Sequence, residues 1–121
     1  VVVATVKGDI HYLGKNIVAA LLENNGYKIV DLGKDVDPEV IVQAIKDNKA
    51  ALVGICSLMT TTMPQIDNTI AAIRAAGLKT KVMVGGAVVS QDYADQAGAD
   101  IYAKDGIAAV NHANDFFETL K

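Results

Sequence analysis

The chain has 121 residues, 51% of them apolar, and 11 Lys and Arg against 14 Asp and Glu give a net charge of −3. That is one ordinary domain with enough apolar matter for a continuous core, and its acidic balance without a basic cluster argues against a nucleic-acid or membrane-surface partner. No apolar run approaches the roughly 20 residues that cross a bilayer, no signal-peptide pattern is present, and a lone Cys56 cannot form an internal disulfide, so the expected location is cytoplasmic.

Apolar runs of strand length alternate with segments of helical period, five times over. "VVVATV" (1–6) reads as the first strand, followed by a helix over 16–25 in which Ile17, Leu21 and Leu22 share a face and Gly26 is the stop. "YKIVDL" (27–32) is the second strand. Asp37 then reads as an N-cap, with Pro38 at the first helical position of a helix that ends near Asn48. "ALVGIC" (51–56) is apolar on both faces, as a central parallel strand requires. Pro64 opens a third helix that runs to Gly77, "KVMVGG" (81–86) is the fourth strand, and Ser90 caps a short helix that ends near Gly98. A brief strand at "DIYA" (100–103) and a helix over 107–120 close the pattern.

Strict alternation of this kind predicts an α/β domain over 1–121. It is doubly wound and Rossmann-like (flavodoxin-like), with a five-stranded parallel sheet in the order 2-1-3-4-5 and helices on both faces. Ligands of such sheets bind at the strand carboxyl ends, where the order reverses between strands 1 and 3. Because the chain starts without Met inside a strand-like run, upstream sequence is expected to be missing from it.

The loops at that edge carry the chemistry. "GDIHYLGKN" (8–16) follows strand 1 and "SLMTTTM" (57–63) follows strand 3, whereas "GKDVD" (33–37) after strand 2 reads as an ordinary turn and cap. Asp9 and His11 stand two residues apart, so the carboxylate can fix the imidazole tautomer as it does beside metal-binding histidines. The alternative is a loop histidine with an acid nearby by chance. Zinc wants three or four protein ligands and His112 is the only other imidazole; one histidine suits a metal that brings its remaining ligands with it. Thr60, Thr61 and Thr62 either satisfy a turn and cap the next helix or offer hydroxyls to a ligand. Gly85 and Gly86 either make a turn or let a bulky group lie against the backbone. Cys56 fits a small buried hydrophobe better than a nucleophile. Lys104 and Asp9 match residues of receiver domains, but Cys56-Ser57 stands where their phosphorylated aspartate would be. No G-x-G-x-x-G or Walker lysine motif is present.

Asp9, His11 and Gly14, then Cys56 and Leu58, then Gly85 and Gly86 follow the pattern D-x-H-x-x-G, S-x-L, G-G. The chain thus resembles, over its whole length, the cobalamin-binding domain of corrinoid methyl carriers and of cobalamin-dependent methionine synthase. The resemblance implies a cobalamin (methylcobalamin when loaded) bound base-off, with His11 as lower cobalt ligand and Asp9 and Thr62 as a relay that adjusts its protonation. Gly8, Asp9, Ile10, His11 and Tyr12 would lie under the corrin. The displaced nucleotide tail would run between strands 1 and 3, past Cys56, Leu58 and Thr60 and over Gly85 and Gly86, with Tyr102, Ala103 and Gly106 closing the channel.

The implied function is a methyl carrier that alternates between methylated Co(III) and Co(I). Its implied partners are substrate-specific and acceptor methyltransferases, with a reductive activator as a further candidate. The helical cap that precedes such modules is expected to be missing from this chain. Two departures stand out. Cys56 replaces the serine that binds the tail, with Ser57 one place on and facing the other way, and Tyr12 replaces a residue that is usually acidic. An adenosylcobalamin mutase module, a cobalamin-dependent sensor and a flavin- or phosphate-binding module of the same fold are the alternatives.

Overall fold

Runs of valine, isoleucine and small residues build a parallel sheet from β1 (Val2–Thr5), β2 (Val30–Asp31), β3 (Leu52–Cys56), β4 (Lys81–Gly85) and β5 (Ile101–Tyr102). The computed structural model describes residues 1–9, 13–57, 59–86 and 89–119. The strand order is β2-β1-β3-β4-β5, with every pairing parallel, as the alternation predicts. Five helices connect and cover the strands: α1 (Leu13–Asn24), α2 (Pro38–Asn48), α3 (Pro64–Ala75), α4 (Gln91–Ala97) and α5 (Gly106–Thr119).

Successive strand side chains point to opposite faces, and both faces are covered. On one face Val2, Ala4, Val53, Ile55, Val82 and Val84 meet Ile41 and Ile45 of α2, Ile66, Ile70 and Ile73 of α3, and Ala94 of α4. On the other, Leu52, Met83 and Ala103 meet Leu22 of α1 and Ala109, Val110 and Ala113 of α5. Each fully buried Val, Ile or Leu stabilises the domain by about 1.5–3 kcal/mol before chain entropy is counted.

The element ends show where local signals were strong. Ser90 caps α4, its hydroxyl accepting from the Tyr93 N–H at 3.1 Å, and Gly98 ends that helix at φ +83°. Asp37 sits at the N-cap of α2 with Pro38 behind it, yet its carboxylate pairs with Lys7 Nζ at 3.1 Å instead of closing the helix. α1 starts three residues earlier than expected, at Leu13. β2 is shorter than its apolar run because it is an edge strand whose register with β1 covers only Val2↔Val30 and Val3↔Asp31. Among the described residues no helix is long and apolar enough to cross a membrane.

Candidate functional site

Past Val6, which bridges to Val36, the chain turns back so that the Asp9 N–H donates to Val6 O at 3.1 Å. Gly8 makes that turn at φ +84°, a region most side chains avoid. The turn carries the Asp9 carboxylate inside, where it is fully buried. A buried carboxylate is costly unless donors reach it. Thr62 supplies one, its Oγ1 donating to Asp9 Oδ2 at 3.0 Å.

Thr62 ends a single 3-10 turn, Thr60–Thr62, that follows β3. Its hydroxyl also lies 3.0 Å from Ser57 Oγ and 3.0 Å from Met59 O, while Ser57 Oγ is 3.2 Å from that same carbonyl. Each hydroxyl has one proton. With Asp9 ionised, Thr62 spends its proton on the carboxylate, and Ser57 is left to donate to Thr62 Oγ1 or to Met59 O. The result is a buried chain from Ser57 through Thr62 to Asp9. Thr60 and Thr61 are exposed on the turn.

The segment 33–37, expected to be an ordinary turn, is instead a brace for this loop. Asp35 takes the left-handed conformation at φ +53°, its Oδ1 accepts from the Gly8 N–H at 2.7 Å, and its own N–H donates to Asp9 O at 3.0 Å. Aspartate tolerates that conformation better than most residues, which is the only trace the brace leaves in the sequence.

Beside this network, on the face covered by α1 and α5, lies a cavity of about 370 Å³. Cys56, Gly85, Gly86, Ala103 and Gly106 line it, so five of the expected cofactor-binding residues are brought together. It lies to one side of β1 and β3, which are hydrogen-bonded neighbours in register from Val2↔Val53 to Thr5↔Cys56. Tyr102 belongs to the opposite face, where its hydroxyl donates to Val89 O at 3.1 Å.

The glycine pair has a packing reason of its own. A Cβ on Gly86, at φ +129°, would sit 1.9 Å from Ser57 O, and one on Gly85 would sit 2.9 Å from Ala103 O. Strand alternation also separates Cys56 from Ser57: the thiol faces the cavity and the hydroxyl faces Thr62. Burial pushes the Cys56 thiol up to about 11, Asp9 and Asp31 adding to the rise and Lys15 opposing it. The thiol therefore stays protonated at neutral pH, a poor nucleophile.

Sequence reading missed Lys15. It stands in the first turns of α1 and lines the cavity although its side chain is only 4% exposed. Its Nζ donates to both carboxylate oxygens of Asp31 at 2.6 and 2.7 Å. A pair 16 residues apart leaves no short-range motif. Gly14 lies in the first turn of α1, and Ile10, His11, Tyr12 and Leu58 lie outside the described residues. His112 is exposed on α5. Among the described residues no group of three or more His, Cys, Asp or Glu could hold a bare metal ion.

Residues 1–111 match the model of the B12 binding domain family. The chain is 45% identical to trimethylamine corrinoid protein 2 of Methanosarcina mazei, over 93% of this chain and 54% of that protein. It is 39% identical to dimethylamine corrinoid protein 3 of the same organism, over 95% of this chain and 70% of that protein. The chain thus spans about half the length of the trimethylamine relative. Among solved structures it is similar to a cobalamin-binding protein from Desulfitobacterium hafniense, with TM-score 0.90 and 33% identity over 93% of this chain and 56% of that one. It is also similar to a chain of the methanol:cobalamin methyltransferase complex from Methanosarcina barkeri, with TM-score 0.90 and 37% identity over 95% of this chain and 45% of that one. A receiver domain from Mycobacterium tuberculosis, with TM-score 0.67 and 21% identity over 95% of this chain and 94% of that one, shares the fold alone. The chain belongs to the B12-binding domain family.

Proposed function

We propose that this chain holds a corrinoid across the carboxyl edge of its sheet and serves as the methyl-carrying module of a methyltransferase system. The observation that carries the reading is the hydrogen bond from Thr62 to the buried Asp9 carboxylate, set beside an apolar cavity in a member of the B12-binding family. The likeness to methylamine corrinoid proteins and to a chain of a methanol:cobalamin methyltransferase complex supports methyl transfer over the mutase and sensor alternatives. In this reading the partners are methyltransferases that load and unload the methyl group, with a reductive activator alongside them.

The residues present fit such a group. The cavity is at the small end of ligand-sized pockets, its lining is mostly apolar, and the glycines Gly54, Gly85, Gly86 and Gly106 in that lining carry no side chain to fill it. When bound, the corrinoid supplies a cobalt centre able to accept and release a methyl group. His11 would hold that centre, a role implied by the D-x-H-x-x-G pattern that Asp9, His11 and Gly14 share with the family. Asp9 would hydrogen-bond the imidazole of His11, as the resemblance implies, while Thr62 donates to the Asp9 carboxylate and Ser57 keeps Thr62 oriented. Through that chain the carboxylate tunes how strongly the imidazole donates. Gly8 and Asp35 fix the loop that bears Asp9.

The test is direct. The chain is mixed with hydroxocobalamin, unbound corrinoid is removed by gel filtration, and the visible spectrum is recorded. A stoichiometric corrinoid spectrum is expected; a colourless protein would refute the proposal.

A further inference from the structure

The amino edge of the sheet, at the opposite end of the strands from the Asp9 loop, carries a second and more open groove of about 540 Å³. Two distant segments bring lysines to it: Lys46 and Lys49 at the end of α2, and Lys79 and Lys81 where the chain enters β4. All four are exposed. No basic run marks the sequence, and the chain as a whole is acidic at −3, yet folding gathers these charges into one positive surface.

Helix ends account for part of that charge. α2, α3 and α5 all close at this edge, each C-terminus worth about −0.5 of an elementary charge, and lysines beside them are favourable. Four lysines exceed that sum. Among the described residues Lys46, Lys49 and Lys79 have no carboxylate in ion-pair reach, and Lys81 stands 4.0 Å from an Asp100 that Arg74 already holds at 2.6 Å. Lys49 also takes the left-handed conformation at φ +50°, where the ends of α3 and α4 use Gly77 and Gly98. A lysine kept at a position that glycine fills without strain points to a use for its side chain.

The rest of the lining decides between ligands. Ile45, Ala51, Leu78 and Phe116 make it apolar between the lysines. Thr80 has already spent its hydroxyl on Ala50 O at 2.9 Å, and the N–H groups of Ala50 and Lys81 are spent on Ile45 O and Ala51 O at 3.1 and 3.0 Å. A compact phosphate is best held by converging N–H donors, as at a helix N-terminus; this edge has helix C-termini instead. An acidic peptide with interspersed apolar residues suits both features, its carboxylates meeting lysines from either segment and its apolar side chains meeting the lining.

We propose that this groove is a docking site for an acidic segment of a protein partner, one in which Glu or Asp alternates with apolar residues. A partner held there leaves the carboxyl edge of the sheet, and the Asp9 loop on it, open. The proposal is independent of the corrinoid reading given above.

The experiment follows the fluorescence anisotropy of a labelled short peptide of alternating glutamate and leucine as the full chain is added at physiological salt. Two control peptides carry serine in place of leucine or glutamine in place of glutamate. Two protein variants remove the same charge: Lys49→Gln/Lys79→Gln in the groove, and Lys7→Gln/Lys28→Gln, exposed lysines outside it. Saturable binding of the glutamate–leucine peptide is expected, with both control peptides weaker. The groove variant is expected to lose roughly fivefold or more, the worth of two ion pairs, and the other variant to bind as wild type does. Absence of binding, equal binding of either control peptide, or equal weakening by the two variants would overturn the proposal. Displacement of the peptide by inorganic pyrophosphate or a short RNA at lower concentrations than unlabelled peptide requires would overturn it too, since the groove would then be reading phosphate.

Discussion

The two faces of one sheet solve different problems. Against α2, α3 and α4 the strand side chains are Val, Ile and Ala, they meet isoleucines, and the space is filled. Against α1 and α5 the same strands show Gly54, Cys56 and Gly85 toward their carboxyl ends, and the space stays open as a cavity. Closure at one end of the second face comes from Leu22, Leu52 and Met83. A fold that stabilises itself on one face can leave the other incomplete, and the hydrogen-bonded chain from Ser57 through Thr62 to Asp9 stands at the edge between them.

Substitutions can break that contrast, and the most disruptive falls where the faces meet. Gly86→Ala would drive a Cβ to 1.9 Å from Ser57 O, a backbone atom that cannot step aside. We expect a loss above about 4 kcal/mol, in the exceptional range for one substitution, and no folded protein by circular dichroism. Gly106→Ala meets only the flexible tip of Leu21 at 2.6 Å, and its cost should stay near ~1 kcal/mol; equal damage from the two would contradict the backbone-contact argument.

The next effect separates the faces themselves. Ile66→Ala, on the filled face, should cost about 2–5 kcal/mol in urea unfolding and leave corrinoid affinity of the folded protein unchanged. Ala103→Leu, on the open face, should shift stability by less than about 1.5 kcal/mol yet weaken hydroxocobalamin binding severalfold, because it fills part of the cavity that Ala103 lines. If Ile66→Ala weakened binding as much as Ala103→Leu did, the division of labour would be wrong.

At the edge, Thr62→Val removes a donor to the buried Asp9 carboxylate and is expected to cost about 1–3 kcal/mol. Thr62→Ser should restore most of it, since the hydroxyl returns. Failure of serine to rescue would assign the loss to packing of the methyl group instead.

The smallest effect is a pH dependence. Burial raises the Cys56 thiol from 9.0 to about 11, so between those values the folded chain binds more protons than the unfolded one. Stability contributed by the thiol is therefore present below pH 9 and lost as the pH rises toward 11. Urea midpoints of wild type should fall more steeply across that window than those of Cys56→Ala; parallel curves would place the thiol in water.

How much of this could be read from residues alone varies with distance along the chain. Strand order, the helix start at Pro38, the cap at Ser90 and the stop at Gly98 follow from local signals a few residues long. Cys56 and Ser57 diverge as the two-residue period requires. Other features depend on contacts between distant segments. Lys15 finds Asp31 and Gly8 finds Asp35 only because β2 lies beside β1. The cavity lies above the paired β1 and β3 because small side chains at the ends of β3 and β4 leave room under α1 and α5. Gly85 and Gly86 drew attention as room for a ligand, yet the neighbouring carbonyls of Ala103 and Ser57 already exclude a side chain there.

The central claim is that the loop bearing Asp9 presents His11 to cobalt. It is tested most directly by electron paramagnetic resonance of the chain loaded with cobalamin and reduced to Co(II), in wild type and in His11→Ala. The account predicts nitrogen hyperfine splitting on the cobalt lines of the wild type and its loss in the variant. Splitting that survives His11→Ala would contradict it.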